Sequence, residues 1–117
     1  MTQLDTNSDY NFKSIFNGFL LANSPEGNDN KAFLYYSNHR ISSITYSLLL
    51  KKIVLLNKAL KDKGIKPRDR VGIISENRLE WVISDFATNS TGIINVPTFP
   101  NFTADQQKFI FNNCDAK

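Results

Sequence analysis

His39 is the sole histidine of this 117-residue chain and Cys114 its sole cysteine, and they sit in different segments. No local spacing therefore pairs a thiol with an imidazole base. One cysteine allows no intramolecular disulfide and no cysteine-built zinc site. Asn38 and Arg40 flank His39 and read as a turn, which makes the imidazole an exposed turn residue. Cys114 falls near a helix end and reads as a half-buried structural thiol. Glu76-Asn77-Arg78 is the remaining candidate, because it follows a strand and opens a helix, a position where α/β proteins bind anions. It lacks the glycines that let backbone approach a phosphate, and neither GxGxxG nor GxxxxGK[ST] occurs anywhere. The plain reading is a cap, with Asn77 and Glu80 satisfying the helix start and Arg78 in solvent. Asp5, Asp9, Glu26 and Asp29 fall in loops, at spacings that match neither an EF-hand nor a glycosidase carboxylate pair. No catalytic, cofactor-binding or metal-ligating residue is assigned.

The composition is that of an ordinary globular chain, 41% hydrophobic and 21% charged, long enough for one domain with a modest core. The net charge of +3 is mildly basic. Lys58, Lys61, Lys63, Lys66, Arg68 and Arg70 cluster, but Asp62 and Asp69 dilute them, and cations at a helix C-terminus complement its dipole. Nucleic acid is not expected as a partner; peripheral contact with anionic lipid fits the patch better. The opening MTQLDTNSDYNF is polar and acidic, unlike a secretory leader. Apolar runs such as Ile53 to Leu56 are too short to span a bilayer. The expected location is the reducing cytoplasm, with a peripheral membrane contact allowed.

Several elements must position these residues. Phe12, Ile15, Phe16, Phe19 and Leu20 recur at helical spacing within 11–23, after a loose start and before the polar loop SPEGNDN. Residues 32–37 and 41–44 read as a hairpin around Asn38-His39-Arg40. Thr45 then caps a helix, with Ile44 and Leu49 as its hydrophobic staple and Leu49, Ile53, Leu56 and Leu60 as its stripe. That helix is wide on its apolar side, to which Leu48, Leu50 and Leu55 add, so more than one surface should be covered. Gly64 and Ile65 predict a Schellman ending. Residues 71–75 read as a buried strand. The next helix has a core face of Leu79, Val82, Ile83, Phe86, Ala87 and Ser90, with Trp81 beside it, packing within the chain. Gly92 stops that helix, and 93–96 form a second strand ended by Pro97. Two strands joined by such a helix should be parallel, with a right-handed crossover. Thr103 and Gln106 predict a capping box for a last helix, whose Phe109, Ile110 and Cys114 should face inward.

The fold class is thus α/β: an incomplete doubly wound sheet with a parallel β-α-β unit, preceded by a helix and a β-hairpin. A further strand is expected to begin near Lys117, which leaves the sheet with an open edge.

The stretch ITYSLLLKKIVLLNKALKDKGIKPRDRVGIISENRLEWVISDFATNSTGIINVPTFP resembles the N-terminal part of AMP-forming long-chain acyl-CoA synthetases, of the adenylate-forming superfamily. Ile44-Thr45-Tyr46 matches the family's Thr-Tyr helix start. Gly64, Pro67, Asp69, Arg70 and Val71 match its turn into the first strand, where Arg68 replaces the usual glycine. Ser75-Glu76-Asn77-Arg78 with Glu80-Trp81 is similar to a phrase of the long-chain branch, in which the position of Leu79 is often proline. Gly92 to Pro97, Pro100 and the Gln-containing helix after Thr103 follow the same pattern. The resemblance covers roughly Ala32 to Lys117 and implies a tail, helix and loop over 1–30. Residues 31–117 would be the N-terminal part of a truncated adenylation domain. It implies ATP- and magnesium-dependent adenylation of a fatty acid, followed by acyl transfer to coenzyme A. The family's phosphate loop, its nucleotide contacts and its mobile lysine have no counterpart in this stretch. ATP, magnesium and coenzyme A are therefore expected of the full-length family and not of these residues alone. The leading expectation is an N-terminal fragment, inactive by itself. Its rivals are one half of a split ligase completed by another chain, and a non-catalytic interaction module using an open sheet edge.

Overall fold

A computed structural model describes residues 29–117; the helix expected over 11–23 lies outside them. Strands β1 (Lys31–Ser37) and β2 (Arg40–Thr45) pair antiparallel. Asn38 and His39 form the two-residue turn at φ 49° and 60°, the doubly positive conformation that matches the twist of a hairpin. Alternation then sorts the strands. Ile44 is buried on the inner face, while Leu34, Tyr36 and Ile41 are exposed on the outer one.

Helix α1 (Tyr46–Asp62) starts where Thr45 Oγ1 accepts from the Leu48 N–H at 3.2 Å. Its Leu49 and Ile53 join Ile44, and Leu79, Ile83 and Ala87 of helix α2 (Leu79–Ser90), in one apolar core. Of the expected stripe, Leu49 and Ile53 are buried, and Leu56 and Leu60 partly so. Asn57 Nδ2 donates to Ser90 Oγ at 2.8 Å between the two helices.

Strands β3 (Arg70–Ile74) and β4 (Ile94–Thr98) pair in parallel, Arg70 opposite Ile94 through Ile74 opposite Thr98. The expected end of the second strand at Pro97 needs correction: pairing runs through Pro97 to Thr98. Among the described residues β4 lies at a sheet edge, where a missing N–H is tolerated. Helix α3 (Ala104–Asn113) closes the described chain, and Ala116 then makes a parallel bridge to Arg70. β3 thus has β4 on one side and the segment after α3 on the other.

The two sheet faces carry different helices. Asn95 points to α2 and donates to Asp85 Oδ1 at 3.0 Å. Arg70, one residue out of phase with it, donates from Nε to the Cys114 carbonyl at the end of α3. Phe111 of α3 lies directly over Gly72, where an added Cβ would meet the ring at 2.6 Å. This is the doubly wound arrangement expected of the sequence. Four expectations fail. Leu48 and Leu55 of α1 are exposed rather than covered. The strand expected to be buried over 71–75 is β3 at 70–74, only half-buried and with Ile74 exposed. Phe109 is exposed rather than inward, because Phe111, two residues on, takes the sheet-facing position. Asn77 does not cap α2: the helix starts one residue later, with Arg78 at the N-cap and no side-chain acceptor there.

Candidate functional site

Parallel strands release their following loops at the same end of the sheet, and ligands of α/β proteins bind there. After β3 the loop carries Ser75, Glu76 and Asn77; after β4 it carries Phe99, Pro100 and Asn101. These loops, with Thr98 and the first-turn Trp81 of α2, line a cleft of about 590 Å³. The Ser75 hydroxyl is engaged with the Glu76 carbonyl at 2.8 Å. Phe99 stacks edge-on against Phe102, with ring centroids 5.5 Å apart. Thr98 is 6% exposed and its Oγ1 has no hydrogen-bond partner among the described residues.

The helix start beside the cleft is arranged by charge. Arg78 Nε donates to Glu80 Oε2 at 2.7 Å. That hydrogen bond holds the Glu80 carboxyl below the ordinary glutamate range and raises the Arg78 guanidinium, with Coulomb attraction adding to both. Glu80 is therefore a partner of Arg78 and not part of a cap with Asn77.

A second constellation lies at the opposite end of β3. The Asp69 carboxylate accepts from the Lys66 N–H at 2.8 Å and from Lys117 Nζ at 2.9 Å. The backbone hydrogen bond first, then the lysine, lowers its pKa below the ordinary aspartate range. Arg70 reaches the Cys114 carbonyl at 2.6 Å and lies 3.7 Å from the Asp115 carboxylate. Its own carbonyl accepts from the Lys117 N–H at 2.7 Å. Asp69 and Arg70 together clamp residues 114–117 beside β3.

The chemical capacity of the cleft follows from its lining. Trp81, Pro97, Phe99 and Pro100 offer apolar surface, Asn77 and Asn101 offer amides, and Glu76 is the sole charged group. No lysine or arginine lines it, so the charge developing on a transferred phosphoryl or adenylyl group finds no counter-charge there. Among the described residues no three His, Cys, Asp or Glu side chains gather to hold a metal ion. His39 sits exposed at the hairpin tip and Cys114 is half-buried at the end of α3, its Sγ 3.6 Å from the Phe111 carbonyl. The fold does not bring them together as a catalytic pair. Sequence reasoning had set Trp81 among packing residues; its position at the mouth of the cleft follows only from where α2 begins. The clamp was missed as well, since its halves lie more than forty positions apart in sequence.

The family model described as AMP-binding enzyme matches residues 21–117. A long-chain-fatty-acid–CoA ligase of Mycobacterium tuberculosis, FadD15, is 38% identical over 53 residues, covering 45% of this chain and 9% of its own length. Long chain acyl-CoA synthetase 4 of Arabidopsis thaliana is 31% identical over 71 residues, covering 61% of this chain and 11% of its own. The chain thus spans about a tenth of the length of these two relatives. Among solved structures, the fatty acyl-adenylate ligase of Legionella pneumophila, in complex with acyl adenylate and pyrophosphate, superposes with a TM-score of 0.76 at 22% identity. That match covers 88% of this chain and 19% of the ligase, and it establishes the fold.

Proposed function

Because this chain belongs to the AMP-binding enzyme family, we propose that it forms the N-terminal part of a long-chain fatty acid–CoA ligase and supplies scaffold rather than catalytic groups. Residues 1–30 are the lead-in and 31–117 the first part of the adenylation domain. The observation that carries this reading is the position of β3, paired in parallel to β4 at Ile94 and to the segment after α3 at Ala116. The chain lays down the interior of a larger parallel sheet. The names of the long-chain ligases it matches support fatty acid as the substrate.

In the complete enzyme ATP and magnesium activate the fatty acid as an acyl-adenylate, and coenzyme A receives the acyl group in the cytoplasm. The chain alone is inactive, since its cleft holds no cation for phosphate and its described residues form no metal-binding cluster. A second reading, one half of a split ligase, is favoured by the apolar side chains left in solvent on the hairpin, on the loop after β4 and on α3, Leu34, Tyr36, Ile41, Phe99 and Phe109. Fatty-acid-dependent ATP–pyrophosphate exchange tests both. The purified chain should give no exchange above background. Exchange that appears only when a second polypeptide co-purifies would favour the split enzyme. Turnover by the chain alone would overturn the assignment of a scaffold.

A further inference from the structure

The strand edges left open among the described residues are not equivalent. In β4 the Ile94 N–H goes to the Asp69 carbonyl at 2.8 Å, so the backbone groups of Asn95 and Pro97 turn away from β3. Pro97 has no N–H to offer, and that edge is blunted. β1 is different. Its sequence KAFLYYS has no proline and a single charge, Lys31, at its start. A two-residue turn is closed by a hydrogen-bonded pair, here Ser37 with Arg40. Alternation from that pair leaves Leu34 and Tyr36 in non-bonded pairs, their N–H and C=O groups turned to the open side. No backbone bond among the described residues reaches them there. The one irregularity of the ladder, between Lys31 and Phe33, precedes this stretch. A long edge with so little charge is a template for another strand.

The space beside it is shaped for one. A groove of about 340 Å³ has Phe33, Leu34, Tyr35 and Tyr36 on one side. Asn77, Arg78, Leu79 and Val82, at the start of α2, form the other. Successive side chains of a strand point to opposite faces, so a groove that touches four in a row follows the strand edge. No residue of β2 lines it, which places it at the free edge of β1. We infer that this groove takes an extended peptide of a partner protein, apolar at alternate positions and acidic at its ends, which adds to β1 as a third strand. Backbone bonds to Leu34 and Tyr36 supply affinity, and side chains against Leu79 and Val82 supply selectivity. The acidic ends are argued from charge. Arg78 is the sole charged group of the lining, and Glu80 engages it at 2.7 Å. Lys31 begins β1, and Arg40 stands opposite its last residue, Ser37. From Lys31 through Lys61 the chain has six Lys or Arg residues and no Asp or Glu. This inference does not depend on the chain being part of a ligase.

Fluorescence anisotropy on the full chain tests it, with a labelled peptide Asp-Val-Thr-Val-Thr-Val-Asp that has the seven-residue length of β1. It should bind saturably, and binding should weaken with salt. The same peptide N-methylated at its internal amides keeps its charges and side chains but cannot donate to the edge, and should lose at least about tenfold in affinity. Lysines in place of its two aspartates should cost about fivefold. Leu34→Pro removes only an outward N–H, and should abolish binding with the thermal melt retained. Ser43→Pro, whose N–H points out from the far edge of β2, should leave binding unchanged. If Leu34→Pro does not fold, the N-methylated peptide decides, since it is read on the unaltered chain. No saturable binding of the acidic peptide, equal binding of the N-methylated or the lysine peptide, loss through Ser43→Pro alone, or self-association of the chain through β1 in place of peptide binding would each overturn the proposal.

Discussion

At the scale of single residues, the ring of Phe111 lies so near Gly72 that no side chain fits beneath it. A methyl group at 72 would stand 2.6 Å from Cε1 and 2.9 Å from Cζ of the ring, well inside van der Waals contact. The ring must swing aside or α3 must lift. Gly72→Ala should therefore destabilise by about 1–3 kcal/mol, as overpacking does, seen as a lowered midpoint in urea. Adding Phe111→Leu should recover part of the loss, which a purely conformational role for the glycine would not allow. Such a contact is invisible in sequence, since nothing local to Gly72 announces an aromatic ring from the next helix. What was legible at this scale was local. Thr45 caps α1, and Thr103 with Gln106 forms a complete capping box on α3, because partners three residues apart are fixed by the helix itself. Asn77 failed for the same physical reason in reverse. A shift of one residue in the helix start hands the N-cap to Arg78, whose side chain cannot accept.

At the scale of elements, all three described helices end alike. Ile65 donates to Leu60, Ile93 to Thr88 and Ala116 to Phe111, each with a second bond from the preceding residue, Gly64, Gly92 or Asp115, to the carbonyl three positions back. Each is a Schellman closure with the C′ residue at positive φ. Sequence pointed to the first through Gly64 and Ile65 and to the second through Gly92, but not to the third, where an aspartate at φ 53° stands in for glycine. Past the first closure, the turn Lys66-Pro67-Arg68-Asp69 is closed by the Asp69 N–H on the Lys66 carbonyl at 3.0 Å, with Arg68 at φ 72°. Proline second and a positive φ third define a type II turn, whose third place favours glycine. That is the place where the resembling family has glycine. Arg68→Gly should relieve about 1 kcal/mol of left-handed strain, partly offset by greater freedom of the unfolded chain. A net gain of a few tenths of a kcal/mol is the expected result. Gly64→Ala, at φ 81° with open space around it, should lose about 1 kcal/mol through backbone conformation alone. Denaturant midpoints moving in opposite directions would confirm the pair; a loss with Arg68→Gly would mean that the arginine side chain matters more than its backbone.

At the scale of the whole molecule, anchorage is uneven. The core joins the hairpin, α1 and α2, whereas α3 has no fully buried residue. The parallel β3–α2–β4 unit was legible because two short apolar runs flank a helix of strong period. A further strand near Lys117 was legible too, but its place beside Arg70 was not, since that depends on contacts between distant residues. Those contacts hold the end of α3 and the segment after it: Phe111 over Gly72, Arg70 on the Cys114 carbonyl, the Lys117 amide on the Arg70 carbonyl, and the solvent-exposed lysine of the Lys117–Asp69 pair. An exposed pair contributes little, while a hydrogen bond from a charged donor contributes about 1.5–3 kcal/mol. Arg70→Met keeps the stem of the side chain and removes that donor. The Lys117 amide, bonded to the Arg70 carbonyl at 2.7 Å, and the last turn of α3 should then exchange hydrogen at least about tenfold faster. Amides of α1 should keep their protection, because local opening at the edge does not require the core to unfold. Unchanged exchange at Lys117 would mean that the ring of Phe111, and not the guanidinium, holds this segment to the sheet.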